Sequence, residues 1–196
     1  MNAIPELPMP RENVWKKAHL ELRDVFEPVW ASCGWVDAPF GQVFLAKTSK
    51  GICRLGFRRS EDALLTDLER RAVLPEMAPA KLDHERRELE EYFAGKRRRF
   101  DVAIDLRWGS PFQRKVLEAA SRIPFGACRC YSDVAKEIGR PKAQRAVGNA
   151  LGSNPVAILI PCHRVVAAGG QLGGYTGGLD IKKTLMKIEG IAMEEQ

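Results

Sequence analysis

The fold is decided by residues 131–151, which have the sequence YSDVAKEIGRPKAQRAVGNAL. Ser132 can cap a short helix over residues 134–138, and Gly139 is typical of a helix end. Pro141 fits the first turn of a second helix, because no backbone N–H is needed there. The apolar positions of that second helix form one face, consisting of Ala143, Ala146, Val147, Ala150 and Leu151. Two short helices joined by so brief a turn predict a helix-turn-helix unit.

The other face of the second helix combines polar and small residues. It carries Lys142, Gln144, Arg145 and Asn149, with the small residues Ala146 and Gly148 between them. Residues 105–196 hold 13 Lys and Arg and 8 Asp and Glu, a net charge of +5, whereas residues 1–104 carry +1. This asymmetry favours close approach to a polyanion. A plain amphipathic surface helix is the alternative.

A candidate nucleophile follows the helix pair. The apolar run VAILI at 156–160 leads into PCHR at 161–164, and its flanking prolines predict a strand buried on both faces. The thiol of Cys162 then leaves the core beside the imidazole of His163, a pairing that nucleophilic catalysis uses. A buried structural thiol is the alternative.

The imidazole needs a route to the thiol and a group that orients it. Adjacent side chains of an extended chain point to opposite sides, so His163 would act on Cys162 through a water. The carboxylates downstream that could orient His163 are Asp180, Glu189, Glu194 and Glu195.

A glycine-rich segment, GGQLGGYTGG, occupies residues 169–178. It lacks the lysine and the strand-to-helix context of a phosphate-binding loop. Glycine lets the backbone approach a ligand closely, and Tyr175 and Thr176 add hydroxyl groups. The helix predicted at 180–189 would bring Glu189 back towards His163.

The remaining patterns define a first unit that ends near residue 105. Strand-like runs at 41–47 and 51–57 predict a hairpin, and Phe100–Asp105 predicts an edge strand. Helices are predicted at 12–26, 60–71 and 81–93, the last closed by Gly95, and the first ten residues, with three prolines, are expected to be disordered. The basic run Lys96-Arg97-Arg98-Arg99 is interpreted as a solvated stretch at the negative end of a helix rather than a nucleic-acid patch.

The second unit begins after residues 106–109. Ser110-Pro111-Phe112-Gln113 predicts a helix start with a capping box, and Pro124 ends that helix.

Composition describes an ordinary globular protein of 196 residues, 45% hydrophobic and 29% charged, long enough for one or two domains. We expect no membrane span and no secretory signal. Five cysteines at irregular spacing predict free thiols in the cytoplasm, or the nucleus of a eukaryote. A zinc site formed by Cys33, Cys53, His19 and His84, with Cys128 and Cys130, is a weak alternative because no spacing matches a zinc-finger pattern. We expect no metal and no cofactor.

A set of ordered motifs carries a family resemblance. They are Ile123-Pro124-Phe125-Gly126, Tyr131-Ser132, Arg145-Ala146-Val147-Gly148, Asn154-Pro155, Ile160-Pro161-Cys162-His163-Arg164-Val165 and Gly174-Tyr175-Thr176-Gly177-Gly178-Leu179. Together they resemble the O6-alkylguanine-DNA alkyltransferases, or methylated-DNA-protein-cysteine methyltransferases, from about Trp108 to Gly190.

The resemblance implies an α/β (α+β) fold in three parts. A partly disordered extension covers residues 1–35, a small ribonuclease-H-like domain covers 36–105, and a mostly helical alkyl-acceptor domain with the helix-turn-helix covers 106–196.

It also implies a single-turnover DNA repair enzyme. Such a protein, acting as a monomer from the minor groove of double-stranded DNA, flips out O6-alkylguanine, or O4-alkylthymine, and moves the alkyl group to Cys162. By the same resemblance His163 and Glu189, with a water, deprotonate Cys162. Arg145 replaces the flipped base. Tyr131 is a further catalytic residue, whose hydroxyl presses on the backbone and donates towards the guanine ring.

The resemblance assigns the other site residues as well. DNA would contact Lys142, Gln144, Ala146 and Gly148, and the substrate pocket would include Asn154, Ala157, Val165, Tyr175 and Thr176. Thr176 stands where many members have Ser, and Ala157 stands where a proline can wall the pocket, so tolerance of bulky alkyl groups is left open.

Three other functions remain open at this stage. A hydrolytic Cys-His enzyme would need the nucleophile and base but not the basic helix pair. A DNA-binding regulator would keep Cys162 only for structure. A non-catalytic relative that marks damaged bases typically has Trp at the position of Cys162.

Overall fold

The computed structural model describes residues 28–192. Its first half contains the strands β1 (Val29–Ala38), β2 (Gly41–Thr48), β3 (Gly51–Phe57) and β4 (Val73–Met77), with helices α1 (Glu61–Glu69) and α2 (Asp83–Phe93). Its second half contains α3 (Pro111–Ser121), β5 (Arg129–Cys130), α4 (Tyr131–Glu137), α5 (Gln144–Gly152), β6 (Val165–Val166) and α6 (Leu179–Ile188). The helix predicted at 12–26, His19 and the expected disorder of the first ten residues lie outside the described residues.

The first half is built on a four-stranded sheet with the order β3-β2-β1-β4. Neighbouring strands are antiparallel except for β4, which runs parallel to β1. The predicted hairpin at 41–47 and 51–57 is confirmed by β2 and β3. Because β1 begins at Val29, residues 29–35 belong to this sheet, which corrects their assignment to an N-terminal extension.

Other elements pack on both faces of the sheet. Successive side chains of β2 point to opposite faces, and those from Val43 to Ala46 are all buried. Phe44 and Ala46 share a core cluster with Leu64 and Leu68 of α1. Val43 and Leu45 belong to the larger cluster, which includes Leu89 and Tyr92 of α2 and apolar residues of α3 to α6. The two halves of the chain therefore share one core.

The edge strand predicted at Phe100–Asp105 is wrong. This segment makes a single bridge to β3, in which the N–H of Ile52 donates to Ala103 O and the N–H of Asp105 donates to Ile52 O, both at 2.8 Å. Further along β3, the N–H of Leu55 donates to Pro155 O at 2.7 Å. Because Pro155 occupies the edge there, no full ladder with 100–105 forms.

The start of α3 follows the prediction only in part. The N–H of Gln113 donates to Ser110 Oγ at 3.1 Å, as expected of an N-cap. The Gln113 side chain donates to Ser153 O and Oγ instead of turning back to the cap, so the reciprocal half of a capping box does not form.

The helix-turn-helix is formed by α4 and α5, with shifted boundaries. Cys130, not Ser132, is the N-cap of α4, and its N–H donates to the carboxylate of Asp133 at 3.2 Å. The second helix begins at Gln144 rather than at Pro141. Its buried face contains Val147, Ala150 and Leu151, whereas Ala146, predicted for that face, is exposed.

The apolar run at 156–160 is not the predicted strand. It is a series of turns in which Ala157 and Ile160 form an isolated bridge and Ile158 has φ of 81°. The side chain of Asn154 holds these turns, because its Oδ1 accepts from the N–H of Val156 at 3.1 Å and its Nδ2 donates to Ile160 O at 2.9 Å. The run is apolar because it is buried, so Cys162 begins a 3₁₀ turn, Cys162–Arg164, instead of ending a strand.

Candidate active site and nucleic-acid interface

A cavity of about 930 Å³ lies between the end of β3, the helix-turn-helix and the glycine-rich segment. Its lining includes Cys162, Asn154, Ala157 and Tyr131. Only 8% of the surface of Cys162 is exposed. The candidate nucleophile is therefore enclosed, and it faces the cavity.

The local environment of Cys162 contains opposing influences on the thiol. Burial raises the pKa of Cys162, while a hydrogen bond from Asn154 and the positive charge of Lys182 lower it. Asn154 Nδ2 donates to the sulfur at 3.3 Å. Because these partners favour the thiolate, they counter the cost of burying its charge.

His163 is completely buried and is oriented by Glu189. Its Nε2 lies 2.8 Å from Glu189 Oε1, which fixes Nε2 as the protonated nitrogen beside a carboxylate. Burial lowers the pKa of His163 by more than the hydrogen bond to Glu189 and the charge of that carboxylate raise it. His163 Nδ1 has no hydrogen-bond partner within the described chain. The ring is therefore held in a tautomer whose Nδ1 can accept a proton.

Glu189 is the centre of a buried polar cluster. Its carboxylate accepts from Arg164 Nε and Nη2 at 2.8 and 2.9 Å and from the hydroxyl of Tyr92 at 2.7 Å. Burial alone would raise the pKa of Glu189, but the hydrogen bonds from His163, Arg164 and Tyr92 lower it to about 2. Among the four downstream carboxylates, the structure brings Glu189 to His163, whereas Asp180 pairs with Arg58 and Glu194 and Glu195 lie outside the described residues.

Lys182 is a site residue that the sequence analysis missed. Its side chain is fully buried, and Nζ donates to Val165 O at 2.6 Å and to Leu172 O. Burial lowers the pKa of Lys182 to about 8, and the negative charge that Cys162 carries as a thiolate opposes this. The available signal was its helical position, because Ile181, Leu185 and Met186 form the buried face of α6 around it.

The glycine-rich segment brings hydroxyl groups to the cavity. Tyr175 and Thr176 line it, and so does Tyr131, whose hydroxyl donates to Gly174 O at 3.4 Å. Thr176 Oγ1 donates to Gly152 O. Burial raises the pKa of Tyr175, and a thiolate at Cys162 raises it further. Val165, predicted for the pocket, is fully buried in β6 and does not line the cavity.

The outer face of α5 stands beside the cavity mouth. Gly148 lines the cavity, and a Cβ there would lie 3.8 Å from the Tyr131 ring. Lys142, Gln144, Arg145 and Ala146 are exposed on the outer surface and do not line the cavity. The structure thus places these predicted DNA contacts next to the thiol's cavity and outside it.

Within residues 28–192, no three His, Cys, Asp or Glu side chains form a group that could hold a metal ion. In the same part of the chain, every helix is too short or too polar to cross a membrane.

Two family models match the chain in succession. The 6-O-methylguanine DNA methyltransferase ribonuclease-like domain matches residues 32–106, and the DNA binding domain of the same family matches residues 111–191. Together they cover the sheet, the helix-turn-helix and the buried cluster around Glu189.

Named relatives agree with the family models. The chain is 40% identical over 157 residues to the methylated-DNA–protein-cysteine methyltransferase of Methanosarcina acetivorans, covering 79% of this chain and 95% of that protein. It is 39% identical to the constitutive enzyme of Bacillus subtilis over 82% of this chain and 96% of that one.

The fold agrees as well. Mycobacterium tuberculosis OGT in complex with DNA has a TM-score of 0.68 and 36% identity, with 83% of this chain and 93% of that chain covered. The α/β architecture and the family resemblance are therefore confirmed, and the chain belongs to the 6-O-methylguanine DNA methyltransferases, enzymes that repair DNA by alkyl transfer.

Proposed function

We propose that this enzyme repairs O6-alkylguanine, and also O4-alkylthymine, in duplex DNA by moving the alkyl group to the sulfur of Cys162. The position of that sulfur carries the proposal, because it borders a cavity whose wall also includes Tyr131 and Gly148 of the helix-turn-helix. A base extruded from a duplex on α5 would enter this cavity directly. Extrusion costs a few kcal/mol, and least for a damaged pair.

Deprotonation of Cys162 is the first chemical step. His163 Nε2–H donates to Glu189, so Nδ1 accepts the thiol proton through a bridging water. Because burial lowers the pKa of His163, the imidazole is neutral near pH 7 and free to act as the base. The negative charge of Glu189 stabilises the imidazolium that forms.

Alkyl transfer then proceeds by in-line attack. The S–C bond forms while the C–O bond breaks, and the electron pair of the broken bond goes to the base oxygen. Hydrogen-bond donors stabilise that developing charge, a role that we assign to the hydroxyls of Tyr131, Tyr175 and Thr176. For this role the O–H groups of Tyr131 and Thr176 turn from Gly174 O and Gly152 O towards the base. The guanine anion takes a proton from water. Water does not cleave the thioether product, so each molecule acts once.

The exposed face of α5 supplies the DNA contacts. We assign Arg145 to the space that the extruded base leaves, with Lys142, Gln144, Ala146 and Gly148 facing the minor groove. Asn154 links this helix to the thiol, because it lies two residues after the end of α5 and its side chain donates to Ile160 O and to the sulfur of Cys162. One monomer acts on one lesion, in the compartment that holds the DNA, the cytoplasm or the nucleus.

The direct test is mass spectrometry of the intact protein after incubation with duplex DNA that contains one O6-methylguanine. We expect a gain of one methyl group, located on the peptide that contains Cys162. Cys162→Ser should gain nothing, and Cys130→Ser, a half-buried thiol outside the cavity, should match the wild type. An unchanged wild-type mass, or methyl transfer by Cys162→Ser, would refute the proposal.

Two further assays, of ester turnover and of DNA binding, separate the rival functions. A hydrolytic enzyme would turn over an ester repeatedly, with no lasting mass change. A DNA-binding regulator would bind duplex DNA without any dependence of lesion processing on Cys162.

A further inference from the structure

Five arginines of the first half of the chain form a wall beside the cavity. Arg54, Arg58, Arg59 and Arg71 line the cavity that holds Cys162, and Arg70 and Arg71 line a neighbouring cavity of about 450 Å³. They come from β3, the segment after it, and the turn that follows α1. We call these five residues the arginine wall. Arg71 and Ser153, the latter at the end of α5, border both cavities, so the wall and the helix-turn-helix line one continuous groove.

The arginine wall carries more positive charge than its carboxylate partners neutralise. Arg54 and Arg71 share one carboxylate, that of Asp67, with N–O distances of 3.3 and 3.5 Å. Arg58 is held by Asp180. Arg59 and Arg70 are exposed and form no ion pair within residues 28–192. Five cations thus have two carboxylates between them.

The inner member of the wall shows that this charge is not fully compensated. The Arg54 side chain is only 14% exposed, and its Nε lies 3.3 Å from Asp67 Oδ2 without forming a hydrogen bond to that oxygen or to another atom in the described part of the chain. Burial lowers the pKa of Arg54, Asp67 opposes this, and the neighbouring Arg71 and Arg59 lower it further. Clustered guanidinium groups with spare donors are suited to an anion.

The anion that fits this position is a phosphodiester. A nucleotide whose base enters the cavity carries a phosphate on each side, and its backbone must pass the cavity mouth. Tyr131 and Gly148 line this cavity together with four members of the arginine wall. Guanidinium forks match phosphate oxygens in a bidentate manner.

We propose that the arginine wall binds phosphates of the strand that carries the lesion, so that the first domain is a second DNA-contacting surface. This inference rests on the proposed function. It assigns DNA contact to residues that precede the helical domain, and it predicts that the duplex is gripped from both sides of the extruded nucleotide.

The test measures how DNA affinity depends on salt. Each phosphate contact contributes about 0.9 to the slope of log K against log salt concentration for duplex DNA. Arg59→Gln combined with Arg70→Gln should therefore lower the magnitude of the slope by about 2, and it should weaken binding of methylated and unmodified duplex by the same factor. Arg59→Lys with Arg70→Lys keeps both charges and should restore most of the slope.

The matched control is Lys50→Gln with Arg87→Gln, which removes two exposed charges that border neither cavity. Its slope should stay at the wild-type value. A wild-type slope in the Arg59 and Arg70 glutamine variant, with circular dichroism unchanged, overturns the inference. If the wild type itself neither binds duplex DNA nor gains a methyl group, the proposed function has failed and this inference fails with it.

Discussion

The hydroxyl of Tyr92 donates a 2.7 Å hydrogen bond to Oε1 of Glu189, 97 residues further along the chain. Tyr92 lies in α2 of the first half, and Glu189 follows α6 in the second. The same oxygen contacts His163. The first half of the chain therefore completes the surroundings of the carboxylate that orients the proposed base.

Replacing Glu189 should lower the free energy of unfolding more than replacing an exposed carboxylate does. In Glu189→Gln the Arg164 guanidinium, 7% exposed, loses its charged partner. Breaking a buried ion pair in this way costs about 3–5 kcal/mol. Chemical denaturation measures the loss. Glu118→Gln removes the exposed partner of Arg122 and should change stability by no more than about 0.5 kcal/mol. Equal effects of the two variants would contradict the assigned role.

A pH series provides a second readout on Glu189. Its folded pKa is about 2, below the value of about 4.3 for an unperturbed Glu in the unfolded chain. A depressed folded pKa stabilises the fold fully above the unfolded value, and this contribution is lost as the pH falls towards the folded pKa. The difference in stability between the wild type and Glu189→Gln should therefore shrink between pH 4 and 2. A constant difference would count against the ionised cluster.

Lys182 should control how readily Cys162 ionises. Its positive charge lowers the pKa of Cys162 against the effect of burial. In Lys182→Met, alkylation of Cys162 by iodoacetamide should need a higher pH than in the wild type. Lys183→Met, an exposed neighbour on the same helix, is the control and should keep the wild-type profile. Superimposable profiles for all three proteins would show that Lys182 is only structural.

Gly177 should be essential for the shape of the pocket. A Cβ at this residue would overlap the ring of Phe57, which stacks on Tyr175 with centroids 6.2 Å apart. Gly177→Ala should slow methyl transfer at least tenfold by displacing Tyr175 and Thr176. Adding Phe57→Leu should recover part of the rate. Gly174→Ala meets no atom within 4 Å and is the matched control. A normal rate for Gly177→Ala would disprove the steric argument.

Arg145 should be needed for rapid repair of methylated duplex DNA and much less for reaction with the free base. If its side chain offsets the few kcal/mol that extrusion costs, Arg145→Ala should slow repair of methylated duplex about 100-fold. Its reaction with free O6-methylguanine should lose far less. Arg87→Ala, on the exposed side of α2, controls for the loss of one charge. Equal losses on duplex and free base would remove Arg145 from base extrusion.

The sequence predicted elements whose patterns are local. The strand-like runs of β2 and β3, the cap at Ser110 and the spacing of Ile181 and Leu185 in α6 each follow from residues within one element. The family resemblance led to Cys162, His163 and Glu189 as the proposed catalytic residues.

The missed features depend on contacts between distant residues. Strand β1 was missed because its small residues reflect close packing with the 3₁₀ turn Pro79–Leu82, where a Cβ on Gly34 would lie 3.2 Å from Leu82. The run at 156–160 is apolar for burial alone, and the turns there depend on Asn154. Lys182 was missed because a lysine in an amphipathic helix is normally solvated.

The bond from Leu55 N–H to Pro155 O has a consequence for the first half of the chain on its own. It pairs one backbone amide on the outer edge of β3. The bridge between Ile52 and Ile104 pairs one further residue of that edge. Without the second half of the chain, the Leu55 amide would lose Pro155 O and the edge of β3 would be exposed. An exposed edge strand is a template for pairing with another copy. A fragment that ends at residue 109 should therefore precipitate or require a chaperone, even though it contains the whole sheet.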